Sequence, residues 1–203
     1  MKKEKVVLAF SGGLDTSFCV KYLSEEKGYE VHTAIANTGG FSPAELKVIE
    51  QKALALGAAS HVTLDIEQEY YEKSIKYMVF GNILRNGTYP ISVSSERIFQ
   101  AIAIIEYAKK IGADYVAHGS TGAGNDQVRF EVSISSIDPP LRAISPIRDL
   151  SLTRDVEIAF AKEHKLPITQ TEKSPYSIDQ NVWGRAIETG FLEDPWNGPT
   201  KDC

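Results

Sequence analysis

The sequence is poor in cysteine and has no long apolar run. Only two of its 203 residues are cysteine, and Cys19 and Cys203 lie too far apart to form a C-x-x-C motif. A reducing compartment, the cytoplasm, is therefore expected. The apolar stretch that follows Met-Lys-Lys-Glu-Lys is too short for a signal peptide, and no stretch is long enough to cross a membrane. The sequence thus predicts no association with a membrane.

The sequence also lacks an excess of positive charge, a metal-binding pattern and two common nucleotide motifs. The net charge of −5 disfavours a general nucleic-acid binder, which is usually basic. His32, His61 and His164 show no metal-ligand spacing with one another or with the cysteines, so no protein metal site is predicted. Neither G-x-x-x-x-G-K-[ST] nor G-x-G-x-x-G occurs, which disfavours kinase-type NTPases and the usual dinucleotide sites.

The most informative stretch that is present is S-G-G-L-D-T-S, residues 11–17. It lies between a predicted strand at 5–10 and a predicted helix at 15–27. Such a turn directs free backbone N–H groups and the positive end of the helix dipole at one point, which makes an anion site. Gly12 and Gly13 can adopt positive φ and leave room for a ligand. The alternative is an ordinary corner in which Ser, Thr and Asp act as caps. We favour phosphate binding because the full seven-residue order is unlikely to arise by chance.

The alternation of strand and helix continues along the chain and predicts an α/β fold. Strands are predicted at 29–37, 61–65, 113–118, 130–137 and 141–146, and helices at 43–56, 66–80, 96–111 and 154–164. This order predicts an open parallel sheet flanked by helices, Rossmann-like, with right-handed crossovers. From residue 166 the sequence is richer in Pro and Trp, and only 181–189 resembles a helix. We therefore predict a nucleotide-binding domain at 1–168 and the beginning of a second domain at 169–203.

A second glycine-rich loop, residues 119–126, follows the strand predicted at 113–118. Ligands of open α/β sheets bind beyond the carboxyl ends of the strands, where the strand order reverses. We therefore expect the loops after the first, second and fourth strands to converge. A flexible turn is the alternative, but the loop combines three glycines with Asn125 and Asp126, and a charged segment follows. A second ligand-binding loop is the favoured interpretation.

These motifs resemble those of the argininosuccinate synthase family, within the N-type ATP pyrophosphatases. The loop S-G-G-L-D-T-S resembles the pyrophosphate loop of that superfamily, and residues 118–131 resemble H-G-[AS]-T-G-x-G-N-D-Q-V-R-F-E. Ala36-Asn37 and the segment 176–181 add to the resemblance, which extends over essentially the whole chain. It implies a fold of the adenine nucleotide alpha hydrolase type.

The resemblance implies an ATP-dependent ligase that joins citrulline and aspartate. The citrulline ureido oxygen attacks the α-phosphate, pyrophosphate leaves, and the aspartate amine then displaces AMP from a citrullyl-adenylate. ATP with Mg²⁺ is the implied cofactor, and a homotetramer is implied for the full-length parent. Because the family's chains are longer, we expect this sequence to be a fragment. Two alternatives remain: a nucleotide-binding module that is inactive alone, and another ligase of the superfamily. The tRNA-thiolating enzymes are disfavoured because they need reactive cysteines and a basic surface.

The resemblance also implies site residues. Those for ATP are Ala9, Phe10, Ser11, Gly12, Gly13, Leu14, Asp15, Thr16, Ser17, Ala36 and Gly119. Those for citrulline are Tyr89, Ser94, Arg129 and Ser177, and those for aspartate are Thr121, Asn125 and Asp126. Asp15, Asp126 and Arg129 are the expected catalytic residues. Where the family has a citrulline-contacting Ser, this chain has Ala186, so one hydrogen bond is absent or the substrate is a modified citrulline.

Several of these residues also have simpler interpretations. Arg129 can bind a carboxylate with its two-pronged guanidinium or pair with Glu131 or Asp126 at the surface. Asp126 can hold an ammonium group or cap a turn. Asp15 can face Mg²⁺ or cap its helix, and Tyr89 can be a packing residue. His118 is predicted to be structural rather than a general base.

Overall fold

A five-stranded parallel sheet forms the centre of the computed structural model, which describes residues 3–138, 140–164, 177–188 and 190–198. Its strands are β1 (Lys5–Ala9), β2 (Glu30–Asn37), β3 (Ser60–Asp65), β4 (Tyr115–Ala117) and β5 (Arg142–Ile144). Their spatial order is β3-β2-β1-β4-β5, with every neighbouring pair parallel. The chain thus grows outward from β1 to β3 and then returns to the other side of β1 with β4. The predicted open parallel sheet is confirmed, and its strand order reverses between β1 and β4.

Helices cover both faces of this sheet. They are α1 (Leu14–Lys21, continued by a π-helical turn at Tyr22–Glu26), α2 (Pro43–Ala55), α3 (Glu67–Tyr70), a π-helical turn at Tyr71–Ile75, α4 (Lys76–Phe80), α5 (Ser92–Ile111), α6 (Asp126–Ile137), α7 (Pro146–Asp149) and α8 (Arg154–Glu163). On β1, Val6 and Leu8 pack in the core that contains α1, α2 and α8 residues. Val7 packs in the core that contains α5 and α6 residues. Because β1 is buried on both faces, its sequence is continuously apolar rather than alternating.

The strand predicted at 130–137 is wrong, because these residues belong to α6. Phe130, Val132 and Ile134 alternate with polar residues and therefore suggest a strand. In the structure Phe130 and Ile134, four residues apart, are 6% and 1% exposed, whereas Val132 is 56% exposed. The buried pair lies on one helical face, which is the spacing of a helix and not of a strand. Asp126 in the first turn further favours a helix that begins there.

The helix predicted at 181–189 is also wrong, because the chain forms a β-hairpin. The hairpin consists of β6 (Ser177–Asn181) and β7 (Gly184–Glu188), which pair antiparallel. Asn181 makes the turn, since its Oδ1 accepts hydrogen bonds from the N–H of Trp183 at 2.8 Å and of Gly184 at 3.2 Å. This is the local backbone mimicry for which Asn is favoured in turns. A 3₁₀-helical turn, Gly190–Glu193, follows the hairpin.

Helix α5 begins at Ser92, four residues before the predicted start at 96. Ser95 lies inside the first turn, where it donates its hydroxyl to the carbonyl of Ile91 at 2.9 Å. The N–H of Val93 donates to Tyr89 Oη at 3.1 Å, so a tyrosine from the preceding loop caps this helix. Sequence rules for N-caps look for short polar side chains next to the helix and therefore miss such a cap.

Candidate functional site

One cavity of about 750 Å³ lies at the carboxyl edge of the sheet, where the strand order reverses. Residues 9–16 form one wall, and residues 34–36 of β2 form the next together with Phe41 from the loop after β2. The loop after β4 contributes residues 118–121 and Gly124, and helix α6 contributes Asp126 and Phe130. Helix α5 and strand β6 close the opposite side, with Glu96, Arg97, Gln100 and residues 178–180. The three loops that were predicted to converge thus surround one cavity.

The loop after β1 leaves the start of α1 open. Gly12 adopts a left-handed φ of +79°, and Gly13 is the N-cap of the helix, with no side-chain hydrogen bond to the cap. The hydroxyls of Thr16 and Ser17 donate to the Gly13 carbonyl, at 3.3 and 2.6 Å, and so do not cap the helix. The first N–H groups of a helix have no partner within it. The wall formed by residues 9–16 therefore presents free donors and the positive end of the helix dipole.

Two residues of helix α2, Ile49 and Lys52, lie against the Gly12 peptide. A Cβ added at Gly12 would lie 3.3 Å from Ile49 Cγ1. Lys52 Nζ donates to the Gly12 carbonyl at 2.5 Å, and partial burial lowers the pKa of this lysine. In a trans peptide the N–H points away from the C=O of the same unit, so Lys52 also fixes the direction of the Gly13 N–H. Sequence reasoning did not identify Lys52, because 40 residues separate it from Gly12.

The loop after β4 touches the start of α1. A Cβ on Gly119 would lie 3.0 Å from Thr16 Cγ2, so any larger residue would require the Thr16 side chain to move by a few tenths of an ångström. Farther along, Gln127 Nε2 donates to the carbonyl of Gly122 at 2.8 Å and more weakly to that of Gly124 at 3.4 Å. These contacts give the loop a defined path from β4 to α6. The alternative interpretation of this loop, a flexible turn, does not account for these hydrogen bonds.

A cluster of charged side chains faces this loop from α5, α6 and β6. The Arg97 guanidinium contacts Glu96 and Asp126, each at 3.2 Å, and forms a third ion pair with Asp179. Burial disfavours its charge, but Asp179, Glu96 and Asp126 together hold the pKa of Arg97 above its usual value. Arg97 therefore joins three elements at the wall of the cavity, and sequence reasoning did not identify it.

Asp126, Arg129 and Ser94 belong to the same cluster. Arg129 lies in the first turns of α6, where one of its nitrogens forms an ion pair with Asp126. Its other terminal nitrogen donates to Ser94 Oγ at 3.3 Å. Three residues that the resemblance assigns to substrates thus contact one another. The pairing of Arg129 with Asp126 that was considered as an alternative is the one observed here.

Glu96 of α5 links the hairpin to the loop that follows β2. Its side chain is 3% exposed and accepts hydrogen bonds from Thr38 Oγ1, Gln100 Nε2 and Asn181 Nδ2, the last two at 2.9 Å. Burial raises the pKa of Glu96, although Thr38, Arg97 and Asn181 counteract that effect. At Gly40, a Cβ would lie 1.9 Å from the carbonyl oxygen of Gln180. The backbone of β6 therefore rests directly on the loop after β2.

The structure brings together many of the predicted site residues. Those that line the cavity are Ala9, Phe10, Ser11, Gly12, Gly13, Leu14, Asp15, Thr16, Ala36, Gly119, Thr121 and Asp126. Among the described residues that do not line it are Ser17, Tyr89, Ser94, Asn125 and Arg129. Ser177 begins β6, and its side chain lies outside what the structure describes. Ala186 on β7 is the direct partner of Asp179 on β6, so the departure from the family motif lies opposite the charged cluster.

His118 forms part of the cavity wall directly after β4. Its ring is 1% exposed and stacks on Phe130 with 5.3 Å between the ring centroids. Burial lowers the pKa of His118 to about 4; the neighbouring carboxylates oppose this shift, whereas Arg148 adds to it. The imidazole is therefore neutral near pH 7.

The part of the chain that the structure describes shows neither a metal cluster nor a membrane span. Within it, no three or more His, Cys, Asp and Glu side chains are arranged to hold a metal ion. None of its helices is long and apolar enough to cross a bilayer.

Comparisons with known proteins identify the family. Residues 5–167 match the model of the arginosuccinate synthase N-terminal HUP domain, and residues 176–203 match that of the arginosuccinate synthase C-terminal domain. A solved structure with a similar fold is a predicted subunit of tRNA methyltransferase from Methanocaldococcus jannaschii. It shares 18% sequence identity and a TM-score of 0.56, over 79% of this chain and 76% of that chain, which shows the fold alone. The family-model match extends over most of the chain, and the chain therefore belongs to the arginosuccinate synthase family.

Proposed function

We propose that this chain carries the site of an ATP-dependent ligase that joins citrulline to aspartate. The observation that carries the proposal is the shared cavity, which has an uncapped helix N-terminus on one wall and the Arg97 guanidinium with its carboxylate partners on another. The first wall suits a triphosphate, and the second suits amino acids. Adenylation of citrulline and displacement of AMP by aspartate require these ligands side by side.

Residues 9–17 are the proposed phosphate-binding segment. The backbone N–H groups and the dipole of α1 stabilise the negative charge that develops on the phosphates as pyrophosphate leaves. Ala36, at the end of β2, is the proposed contact for adenine, and Gly119 is proposed to contact the nucleotide from the opposite loop. Mg²⁺ prefers carboxylate and phosphate oxygens. Asp15 lines the cavity in the first turn of α1, so its carboxylate fits the Mg²⁺ that accompanies ATP.

The charged cluster is the proposed site for the amino acids. Asp126 and Arg129 pair with each other, and an amino acid carries the complementary ammonium and carboxylate groups. A bound substrate can therefore replace this internal ion pair with contacts of the same kind. Thr121, Asn125 and Asp126 are proposed to hold aspartate, and Tyr89, Ser94, Arg129 and Ser177 to hold citrulline. Asp15, Asp126 and Arg129 remain the proposed catalytic residues.

The order of product release tests this function. In a single turnover, pyrophosphate is expected to leave ATP when citrulline is added, because the ureido oxygen attacks the α-phosphate first. AMP is expected only when aspartate is added as well. Radiolabelled ATP, quenched at intervals and separated by chromatography, measures both products.

Omission of each substrate is the matched control. Pyrophosphate release without citrulline would contradict the proposed first step. ATP binding without any release would favour the second candidate, a nucleotide-binding module, and failure to bind ATP would contradict both. Substitution of homologous ureido compounds tests whether the loss of a Ser at Ala186 has changed the preferred substrate.

Replacement of Lys52 by methionine is expected to weaken ATP binding. The variant removes the charged hydrogen bond to the Gly12 carbonyl and leaves the Gly12–Gly13 peptide with the long hydrogen bond, 3.4 Å, from the Gly13 N–H to Ser11 Oγ. A hydrogen bond to a charged group is worth about 1.5–3 kcal/mol, so the Kd for ATP is expected to rise about tenfold or more. Isothermal titration calorimetry measures this change.

Two further variants separate loop positioning from general charge. Lys52→Arg keeps a donor near the carbonyl and is expected to restore part of the affinity. Lys47→Met removes an exposed lysine from the same helix and is expected to leave the Kd unchanged. Equal affinities for Lys52→Met and the unmodified chain would show that Lys52 does not position the loop.

A further inference from the structure

Ile91 has an unfavourable backbone conformation directly before α5. It is the N-cap of this helix, with a left-handed φ of +58° and a ψ of +28°. Among the described non-glycine residues with positive φ it is the only β-branched one, the others being two asparagines and a serine. A β-branched side chain crowds the backbone in this region, so it keeps the conformation only where the surrounding structure imposes it. The left-handed turn at Ile91 therefore needs contacts that maintain it.

Side chains hold the peptide units on both sides of Ile91. The indole N–H of Trp183 donates to the carbonyl of Pro90 at 2.9 Å. The hydroxyl of Ser95 donates to the carbonyl of Ile91, also at 2.9 Å. Because each peptide unit is planar, the direction of the first carbonyl depends on φ of Ile91 and the direction of the second on its ψ. A return of Ile91 to negative φ would therefore turn the Pro90 carbonyl away from the indole.

The Trp183 indole is itself held in place by the hairpin and by an apolar cluster. The backbone N–H of Trp183 donates to Asn181 Oδ1 in the hairpin turn, and Asn181 Nδ2 donates to Glu96 of α5 at 2.9 Å. The indole ring packs against a small cluster whose buried members are Tyr70, Ile75 and Met78. The hairpin thus presents the indole N–H to the peptide that precedes Ile91, across 93 positions of the sequence.

The turn at Ile91 lies between two residues that are proposed to bind citrulline. Tyr89 precedes the turn and Ser94 follows it, and Tyr89 Oη accepts from the N–H of Val93, the neighbour of Ser94, at 3.1 Å. This contact depends on the path of the chain through Ile91. On its other side, Ser94 Oγ accepts a hydrogen bond from Arg129 at 3.3 Å. Relaxation of Ile91 would therefore separate Tyr89 from Ser94 and Arg129.

We propose that Trp183 is a positioning residue for citrulline, and that its indole N–H maintains the left-handed turn at Ile91 that aligns Tyr89 with Ser94. This inference rests on the proposed function, because it takes Tyr89 and Ser94 as contacts of citrulline. The hairpin acts on the citrulline site through the backbone of another segment rather than through the indole itself. Strained residues cluster at binding sites, where the strain forms part of the preorganisation of the site.

The variant Trp183→Phe keeps an aromatic ring in the apolar cluster and removes the N–H. Citrulline binding is measured by calorimetry beside the α,β-methylene analogue of ATP, from which pyrophosphate cannot leave. Loss of one neutral hydrogen bond is expected to raise the Kd for citrulline about five- to tenfold, while the Kd for the ATP analogue stays within about twofold. Trp196→Phe is the matched control and is expected to change neither Kd, because Trp196 is 93% exposed.

A second substitution distinguishes positioning from packing. Glycine adopts a left-handed φ without strain, so Ile91→Gly makes the turn accessible without the indole. When Ile91→Gly is added to Trp183→Phe, the Kd for citrulline is therefore expected to return to within about threefold of the unmodified chain. If Trp183 acted only by packing, the added substitution would weaken binding further, because Ile91 packs against the same cluster.

Unchanged affinity for citrulline in Trp183→Phe would overturn the proposal. A loss that Ile91→Gly does not reverse would also overturn it and make Trp183 a packing residue. An equal loss of affinity for citrulline and for the ATP analogue would do the same, because it would indicate general damage to the fold. Failure of the unmodified chain to bind citrulline beside the ATP analogue would instead contradict the proposed function itself, and the inference with it.

Discussion

Replacement of Gly12 by valine is expected to abolish ATP binding in ordinary titrations. Gly12 has a φ of +79°, a conformation that a β-branched residue adopts only under strain. A Cβ would also lie 3.3 Å from Ile49 Cγ1, so the Ile49 side chain or the loop must move by a few tenths of an ångström. Strain of this kind costs about 1–3 kcal/mol, and any movement of the loop misdirects the backbone donors of the proposed phosphate-binding segment as well. Together these effects are expected to raise the Kd by at least about a hundredfold.

The matched control for this variant is Gly28→Val. Gly28 also has a left-handed φ, of +72°, but a Cβ there would meet nothing within 4 Å, and Gly28 does not line the cavity. This control is expected to lower the unfolding temperature while leaving the Kd for ATP unchanged. Calorimetry and thermal unfolding of both variants distinguish strain in general from damage to the site. Unimpaired ATP binding by Gly12→Val would refute the assignment of residues 9–17 to phosphate.

The central sheet could be predicted from the sequence because its signals are local. β1 is continuously apolar since it is the middle strand and lies between two helical layers. The turn from β1 to α1 has its glycines within the motif itself. α6 and the hairpin were misassigned because periodicity alone does not show which of several apolar positions is buried. Packing against α5 selects Phe130 and Ile134 in α6, and the Asn181 side chain determines the hairpin turn.

The position of residues 9–16 at the cavity could be predicted in the same way, whereas the charged side could not. Arg97 acts through partners that are 29 and 82 positions away, Asp126 and Asp179. Lys52 and Gly12 are likewise far apart in the sequence, by 40 positions. The residue types Lys and Arg occur throughout exposed surfaces, so nothing in the local sequence distinguishes these two from solvated charges. Only the folded chain shows that Lys52 supports the loop after β1 and that Arg97 joins three elements.

Replacement of Arg97 by methionine is expected to lower the free energy of unfolding by about 3 kcal/mol, because breaking a buried ion pair leaves its partner charge uncompensated. The value is at the low end of the usual range, since Asp126 and Asp179 are 35% and 28% exposed and can turn to water. Glu96, at 3% exposure, keeps its hydrogen bonds from Thr38, Gln100 and Asn181. For a chain of this length such a change corresponds to a fall of roughly 6–12 °C in Tm. Chemical denaturation and calorimetry measure both quantities.

A double-mutant cycle shows whether the loss arises from the ion pairs or from the methionine itself. Asp179→Asn removes one partner of Arg97. The double variant is expected to lose less stability than the sum of the two single variants, because neither residue then leaves an unpaired charge on the other. Arg142→Met is the matched control, since Arg142 is exposed and, within the described part of the chain, its guanidinium contacts the Tyr115 ring, at 4.5 Å, and the Tyr115 hydroxyl. Hydrogen exchange shows which part of the structure the substitution loosens. In Arg97→Met, the amides of β6 and β7 are expected to exchange faster than those of β1, because Arg97 joins α5 to β6. Additive single effects with uniform exchange would show that Arg97 does not hold the hairpin against the cavity.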